Sequence, residues 1–361
     1  MNSRQRVLTA LDHRQPDRVP YDLWAVPEIW QRLQDHLGVD HRQGVLDHFD
    51  VDLRYVEGPA FVGQDRKEHP DGSVEDLWGV RRKIVQVEGE GYTWRYKEVV
   101  SPPLAEAKTV AEIQAYPGWP SADWWDYSAV AEQCRAHPGR AVVIKGNRLD
   151  RTAQLKTMMY LRGMEQIFVD LRRNPELVEA MLQKIQAYYL DYNERVFVAA
   201  QGAADIFMMG DDFGMQQGPM MRMEMWQRFF RPGLRAYIAQ AHAHGLKVMH
   251  HSCGSVRHLM GEFIDAGLDI LQSLQPRAKG MDLGQLKEEY GARLCFHGGV
   301  DIQHTLPFGT PEEVKAEVKA RMEAGKVGGG YIAGTAHNLL PDVPTDNIIA
   351  LLEAYREHGV Y

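Results

Sequence analysis

Lys247-Val-Met-His-His-Ser-Cys-Gly-Ser255 joins a short apolar run to a turn that carries a histidine and a cysteine. The apolar run predicts a buried strand, and Gly254 predicts the turn at its end. A helical segment is expected to follow at residues 256–266. This unit of one strand, one loop and one helix is the pattern that the rest of the chain repeats.

Strand-like and helical segments alternate with short links from about residue 140 to the end. Repetition of this kind about seven or eight times predicts a (β/α)8 TIM barrel. A doubly wound open sheet is the alternative, but no glycine-rich dinucleotide motif follows a strand. The strands are expected at residues 51–56, 141–144, 205–209, 247–251, 269–271, 293–296 and 330–333, and the longer helices at 26–37, 152–171, 175–200, 220–244, 283–290, 311–324 and 346–358.

Two features are added to the repeat. Residues 19–24 predict a first strand within an N-terminal extension. Residues 59–103 contain an alternating run at 83–87, a glycine-containing turn and an aromatic run at 92–97, which predicts an inserted β-hairpin flap. We therefore expect one TIM-barrel domain over residues 1–361 that contains this insertion.

Composition excludes several classes of protein. The chain has 361 residues and a formal net charge of −8 at pH 7, which argues against a nucleic-acid-binding surface. No apolar run is long enough to span a bilayer, and the first residues lack the apolar core of a signal peptide. Cys134, Cys253 and Cys295 do not form a paired disulfide framework. We expect a reduced, cytoplasmic setting, where a cysteine can be a metal ligand.

The functional residues of a (β/α)8 barrel lie at the C-terminal ends of its strands. His251 and Cys253 follow a strand and point the same way, because side chains alternate with period 2. An imidazole and a thiolate together suit zinc. His337 is the favoured third ligand, with Cys295 as the alternative. A buried thiol beside a hydrogen-bonded core histidine is the explanation without a metal.

Other polar residues follow the strands. Asp211 and Asp212 are candidate catalytic residues that could orient the substrate or transfer a proton. Alternatively, they could position a ligand histidine or cap the following turn. Arg148 and Arg151 could bind a carboxylate, or pair with a neighbouring acid. The remaining candidates are Asn147 and Gln275 for substrate binding and His297 for acid–base catalysis.

Several motifs resemble the uroporphyrinogen decarboxylase-like superfamily. Its relevant branches are the uroporphyrinogen decarboxylases and the zinc- and cobalamin-dependent methyltransferases, including those that methylate coenzyme M. The resemblance implies a (β/α)8 barrel. The motifs that carry it are His251-Ser-Cys-Gly-Ser255, Gly267-Leu-Asp-Ile-Leu271, Gln275-Pro276, His297-Gly-Gly-Val-Asp301, Gly328-Gly-Gly-Tyr331, Pro344-Thr-Asp-Asn347 and the opening Pro16-Asp-Arg-Val-Pro20.

The resemblance favours the methyltransferase branch, whose zinc motif is His-x-Cys followed far downstream by Cys. His251 and Cys253 match its first two positions, and His337 stands where the second cysteine is expected. This change implies a stronger Lewis acid and a less nucleophilic bound thiolate, which disfavours coenzyme M as substrate. The arginine-rich motif of the decarboxylases is missing from residues 21–27, which disfavours uroporphyrinogen.

The implied function is a zinc-dependent transfer of a methyl group between a small methoxy, methylamine or thiol substrate and a corrinoid. Since the chain lacks an Asp-x-His-x-x-Gly motif, methylcobalamin is expected on a partner corrinoid protein or as free cofactor. The resemblance also implies a homodimer. A decarboxylase or lyase that needs no metal, and a non-catalytic small-molecule-binding barrel, are the alternatives.

Overall fold

The computed structural model describes residues 1–145 and 151–361, and in them the expected parallel barrel is present. Seven strands of these residues form one parallel sheet in the order β1-β7-β8-β9-β10-β11-β12. The strands are β1 (Leu53–Val56), β2 (Ala60–Phe61), β3 (Val74–Glu75), β4 (Arg81–Gly89), β5 (Tyr92–Ser101), β6 (Trp125–Asp126), β7 (Ala141–Ile144), β8 (Ile206–Gly210), β9 (Lys247–His251), β10 (Ile270–Leu274), β11 (Cys295–Val300) and β12 (Tyr331–Thr335).

An N-terminal segment lies between β12 and β1, where an eighth strand belongs. Asp22 N–H donates to Ala333 of β12 at 2.9 Å, and Asp52 N–H, just before β1, donates to Tyr21 at 3.1 Å. The predicted strand at 19–24 was therefore placed correctly, but it forms isolated bridges rather than a full ladder. Pro20 has no N–H to donate to a ladder, which favours this irregular pairing.

The helices surround the sheet. Two predicted helices were wrong in extent, because each is divided. The segment 152–171 breaks at Gly163, whose φ of 94° suits glycine, and the segment 220–244 breaks before Pro232, which lies in the first turn of the next helix. The helices are α1 (Ser3–Leu11), α2 (Pro27–Leu37), α3 (Arg42–His48), α4 (Val110–Gln114), α5 (Val130–Arg135), α6 (Leu155–Arg162), α7 (Met164–Arg173), α8 (Pro175–Ala200), α9 (Met223–Phe229), α10 (Arg231–Ala243), α11 (Met260–Asp265), α12 (Leu283–Tyr290), α13 (Thr305–Phe308), α14 (Pro311–Gly325) and α15 (Thr345–His358).

The predicted hairpin is present as β4 and β5, which pair antiparallel from Arg81 opposite Ser101 to Gly89 opposite Tyr92. The short strand β3 pairs with the first residues of β4 and makes a three-stranded antiparallel sheet. Gly91 in the turn has a φ of 77°, a conformation that glycine adopts without strain. The insertion is therefore an ordered flap beside the barrel.

The barrel interior is filled by alternate residues of the parallel strands, as the period-2 pattern requires. Cys295 opens β11 and is fully buried in this cluster, where its Sγ lies 3.5 Å from the Leu11 carbonyl oxygen of α1. The interior cluster consists of Val7, Leu11, Trp24, Leu53, Ala141, Val143, Ile206, Met208, Met249, Ile270, Cys295 and Ile332.

In the described ranges, no helix is both long and apolar enough to cross a membrane.

Candidate metal centre

His251 is the last residue of β9, and the barrel register fixes its ring. β9 lies between β8 and β10, so that His251 is opposite Gly210 on one side and Gln272 on the other. Its Nδ1–H donates to Oε1 of Gln272. The other ring nitrogen, Nε2, therefore keeps its lone pair and lies 3.2 Å from Sγ of Cys253.

His337 joins this pair from the loop after β12. One ligand atom from each of His251, Cys253 and His337 lies within 4.8 Å of the other two. The rings of the two histidines meet edge to face, with centroids 5.4 Å apart. Cys295, the alternative third ligand, packs against α1 instead. The three residues offer the donor set that the sequence predicted for zinc.

Both His251 and Cys253 are uncharged at neutral pH by their pKa values. Burial lowers the pKa of His251 to about 3, so its imidazole is uncharged at neutral pH. Burial also raises the pKa of the Cys253 thiol to about 12. Metal ligation requires the thiolate, and a bound cation favours loss of that proton.

Asp212 braces the cysteine loop from β8. Its Oδ1 accepts the N–H of Cys253 at 3.0 Å and lies 3.5 Å from Nε2 of His251, while its Oδ2 pairs with Nζ of Lys156 at 2.9 Å. Burial by itself would raise the pKa of Asp212, but its electrostatic interactions with the His251 ring and with Lys156, together with the N–H of Cys253, bring it far below its usual range. Asp212 is thus an ionised neighbour of the cluster.

Asp211 has a different environment from Asp212. Its two oxygens accept the N–H groups of Gln154, Leu155 and Lys156 at 2.6–2.7 Å, so it holds the N-terminus of α6 against the barrel mouth. Burial raises its pKa to about 6 despite these donors. The predicted catalytic role of Asp211 stays a prediction, since this geometry also explains the residue as a positioning group.

A cavity of about 630 Å³ opens at the C-terminal ends of the strands and includes part of the cluster. The hairpin covers one side of it. Of the residues that the sequence singled out, Arg151, Asp211, Asp212, His251 and His337 line it. Its lining is Trp24, Ala25, Val26, Pro27, Glu28, Arg82, Trp94, Arg95, Tyr96, Lys97, Lys145, Arg151, Lys156, Tyr160, Gly210, Asp211, Asp212, His251, His337, Asn338 and Leu340.

Three predicted substrate contacts are not placed in this cavity. Asn147 and Arg148 lie outside the described residues. Gln275 is not part of the lining described above, and its Oε1 accepts the N–H of Gly254 at 2.8 Å. Gln275 thus holds the loop that carries Cys253, and its predicted contact with substrate stays untested.

His297 lies behind the cavity wall rather than in it. Its Nε2 is 2.9 Å from Oδ2 of Asp22, which also accepts the hydroxyl of Tyr55. Burial alone would raise the pKa of Asp22, but its hydrogen bond and electrostatic interaction with His297 lower it, with Tyr55 contributing. Trp24 lines the cavity and contacts His297 with ring centroids 6.3 Å apart. The predicted acid–base role of His297 stays a prediction, because its ring is not part of the cavity lining described above.

The sequence analysis missed Lys145, the first residue after β7. Its Nζ lies 4.9 Å from the ring centroid of Tyr55 and 5.2 Å from that of Trp24. Burial lowers its pKa to about 8. The position of Lys145 could have indicated it, because the residue directly after a barrel strand faces the mouth. The residues predicted after this strand began at Asn147, two positions further on. Asp22 and Tyr55 were also missed.

The fold and the cluster define a (β/α)8-type barrel with a candidate metal centre at the C-terminal ends of its strands. A family model described as uroporphyrinogen decarboxylase (URO-D) matches residues 151–358, more than half of the chain. The chain therefore belongs to the URO-D family, as its motifs predicted.

Relatives in this family carry two kinds of name. A uroporphyrinogen decarboxylase of Pelodictyon phaeoclathratiforme is 22% identical over 219 residues, which cover 60% of this chain and 56% of that protein. The methylcobamide:CoM methyltransferase MtaA of Methanosarcina barkeri is 25% identical over 158 residues, 44% of this chain and 43% of that protein. The chain thus spans little more than half the length of the first of these relatives.

A solved structure supports the fold over the whole chain. A methyltransferase from Methanosarcina mazei superposes with a TM-score of 0.67 and 18% sequence identity, and the match covers 99% of each chain. At this identity the match shows the fold alone.

Proposed function

We propose that this protein is a zinc-dependent methyltransferase that moves a methyl group between a small methoxy, methylamine or thiol substrate and a corrinoid. The observation that carries the proposal is the cluster of His251, Cys253 and His337, whose ligand atoms lie within 4.8 Å of one another. The similarity of the chain to a relative named as a methylcobamide:CoM methyltransferase adds support.

The cluster fits zinc in number and in chemistry. Three protein ligands leave a fourth coordination position, which is characteristic of catalytic zinc sites. Two of them, His251 and His337, line the cavity, so a substrate there could reach this position. When bound, zinc would act as a Lewis acid toward a substrate thiol, methoxy or amine group.

The chain's own residues hold this arrangement in place. Gln272 fixes the tautomer of His251, and such partners orient metal ligands in general. Asp212 holds the loop of Cys253 and accepts a hydrogen bond from Lys156 Nζ. Trp24 stacks on His251 with ring planes 16° apart, and the hairpin limits the access of water to the cavity.

The corrinoid is proposed to arrive from outside the chain. Cobalamin-binding sequences of the form Asp-x-His-x-x-Gly do not occur in these 361 residues. We therefore assign the carrier role to a partner corrinoid protein or to free methylcobalamin. The cavity mouth, bordered by the hairpin, is where that partner would have to approach.

Decarboxylation of an acidic tetrapyrrole is the second candidate function. Basic residues in the cavity favour it, because arginine and lysine bind carboxylates well. The absence of arginine from residues 21–27 was a weak argument, since Arg82, Arg95 and Arg151 enter the cavity from other segments. A decarboxylase of this kind would release CO2 from uroporphyrinogen in the presence of a chelator, whereas the proposed methyltransferase would lose its activity.

The metal content of the purified protein tests the proposal, with Cys253→Ala as the variant and Cys134→Ala as its control. Cys134 is a buried cysteine of α5 outside the cluster. We expect about one zinc per chain in the parent and in the control, and no stoichiometric zinc in Cys253→Ala. Methyl transfer from methylcobalamin to thiols, and from methoxy compounds to cob(I)alamin, is measured alongside. Zinc or activity retained in Cys253→Ala would contradict the site.

A further inference from the structure

The charge of the cavity is opposite to the charge of the chain. The chain carries a formal net charge of −8, yet six basic side chains line the cavity against three acidic ones among the described residues. Two of the acids are already engaged, Asp211 by backbone N–H groups and Asp212 by Lys156. The cavity therefore has an excess of positive charge that its own carboxylates leave unbalanced.

Lys145 differs in its partners from Arg82 and Lys156, two other cations of the cavity. Arg82 pairs with Asp76 at 2.6 Å, and Lys156 pairs with Asp212 at 2.9 Å. Nζ of Lys145 has no carboxylate in ion-pair contact among the described residues and faces the rings of Tyr55 and Trp24 instead. Aromatic faces attract a cation, but they do not neutralise its charge.

The surroundings of Lys145 make its charge costly when the cavity holds no anion. Burial lowers its pKa to about 8, and Arg42 and Arg151 add to this effect, while Asp22 and Glu57 act against it. A partly desolvated ammonium gains most from an anionic partner with which it can form a charge-assisted hydrogen bond. Such a partner would have to come from the contents of the cavity.

We propose that Lys145 binds the anionic group of the substrate, and that the substrate is a small organic carboxylate. Trp24 contacts both Lys145 and His251, so the anion site and the metal cluster both border one indole. The rings of Trp24, Tyr160 and Trp94 offer apolar surface for the hydrocarbon part of the ligand. The assignment of the reacting end to the metal cluster rests on the proposed function, but the anion site does not.

The test compares a carboxylate with its neutral isostere. Binding of 4-methoxybenzoate and of 4-methoxybenzamide is measured by isothermal titration calorimetry at pH 7 on the zinc-loaded full chain. The variants are Lys145→Met and the conservative Lys145→Arg, and Lys83→Met is the control, because Lys83 is an exposed hairpin lysine outside the cavity lining. Circular dichroism and zinc content are recorded for each variant.

We expect the parent chain and Lys83→Met to bind the carboxylate at least about tenfold more tightly than the amide, since a charge-assisted contact is worth this much. Lys145→Met should bind the two probes alike, with the affinity for the amide unchanged, and Lys145→Arg should keep most of the preference. Equal binding of both probes to the parent, no binding of either at millimolar concentration, or a preference retained in Lys145→Met would overturn the anion site. If the parent chain binds no zinc but still prefers the carboxylate to the amide, only the proposed function is contradicted.

Discussion

The two sides of the cavity differ in how the chain builds them. The metal side consists of His251, Cys253 and His337, two of which are separated by a single residue in a strand-end motif. The Lys145 side consists of Lys145 with Trp24 and Tyr55, which come from three separate segments. A short motif can be recognised in the sequence before the fold is known. A site assembled from distant segments becomes visible only when the strand order is known.

The largest expected effect concerns the third ligand on the metal side. Replacement of His337 by alanine should lower zinc affinity at least about 100-fold, because it removes one of three protein ligands. His337→Cys should keep zinc and make a bound thiolate more nucleophilic, since a second thiolate makes the metal less electron-poor. Zinc affinity by competition with a chromophoric chelator measures both variants. Zinc affinity equal to the parent's in His337→Ala would remove His337 from the site.

A smaller effect is expected for the residue that braces the cysteine loop. Asp212→Asn keeps the shape of the side chain but removes the charge that pairs with Lys156 and faces His251. Changes to such supporting groups cost about 10- to 100-fold in metal affinity. Asp123→Asn is the control, because Asp123 is an exposed residue far in sequence from Asp212 and from the three cluster residues. An affinity within twofold of the parent would show that the metal side does not depend on its carboxylate neighbour.

The smallest effect concerns pH and separates the Lys145 side from the metal side. Only the protonated form of Lys145 attracts an anion, and its pKa is about 8 in the free protein. Affinity for 4-methoxybenzoate should therefore be greatest below pH 8 and fall as the pH rises above it, by about tenfold per pH unit at most. Arg42, Arg151, Asp22 and Glu57 face this group and set the midpoint. Affinity for the amide should stay constant over the same range, and a parallel fall for both probes would contradict the assignment.

The fold could be predicted because its information is periodic. Alternating strands and helices identified the parallel sheet, and residues 83–87 and 92–97 identified the hairpin. The ends of helices inside apolar segments were harder to predict from the sequence. Gly163 and Pro232 divide segments that look continuous, since tertiary packing decides whether a glycine ends a helix or is tolerated within it.

The candidate site could be predicted only in part. His251 and Cys253 were recognisable from their spacing, and His337 from its position after the last strand. Asp22 and Tyr55 were not, because the contacts of Asp22 with His297 and Tyr55 depend on how the N-terminal segment lies between β12 and β1. Lys145 was missed because a lysine after a strand is ordinarily a solvated loop residue, and only its place against two rings distinguishes it.

The most direct measurement is zinc K-edge X-ray absorption of the zinc-loaded protein. We predict one sulfur ligand at about 2.3 Å and two imidazole nitrogens at about 2.0 Å, with one further light atom in the open position. Loss of stoichiometric zinc in Cys253→Ala, and of the sulfur contribution with it, would agree with this assignment. A spectrum with no sulfur in the parent chain, or with two or more sulfur ligands, would contradict the centre formed by His251, Cys253 and His337.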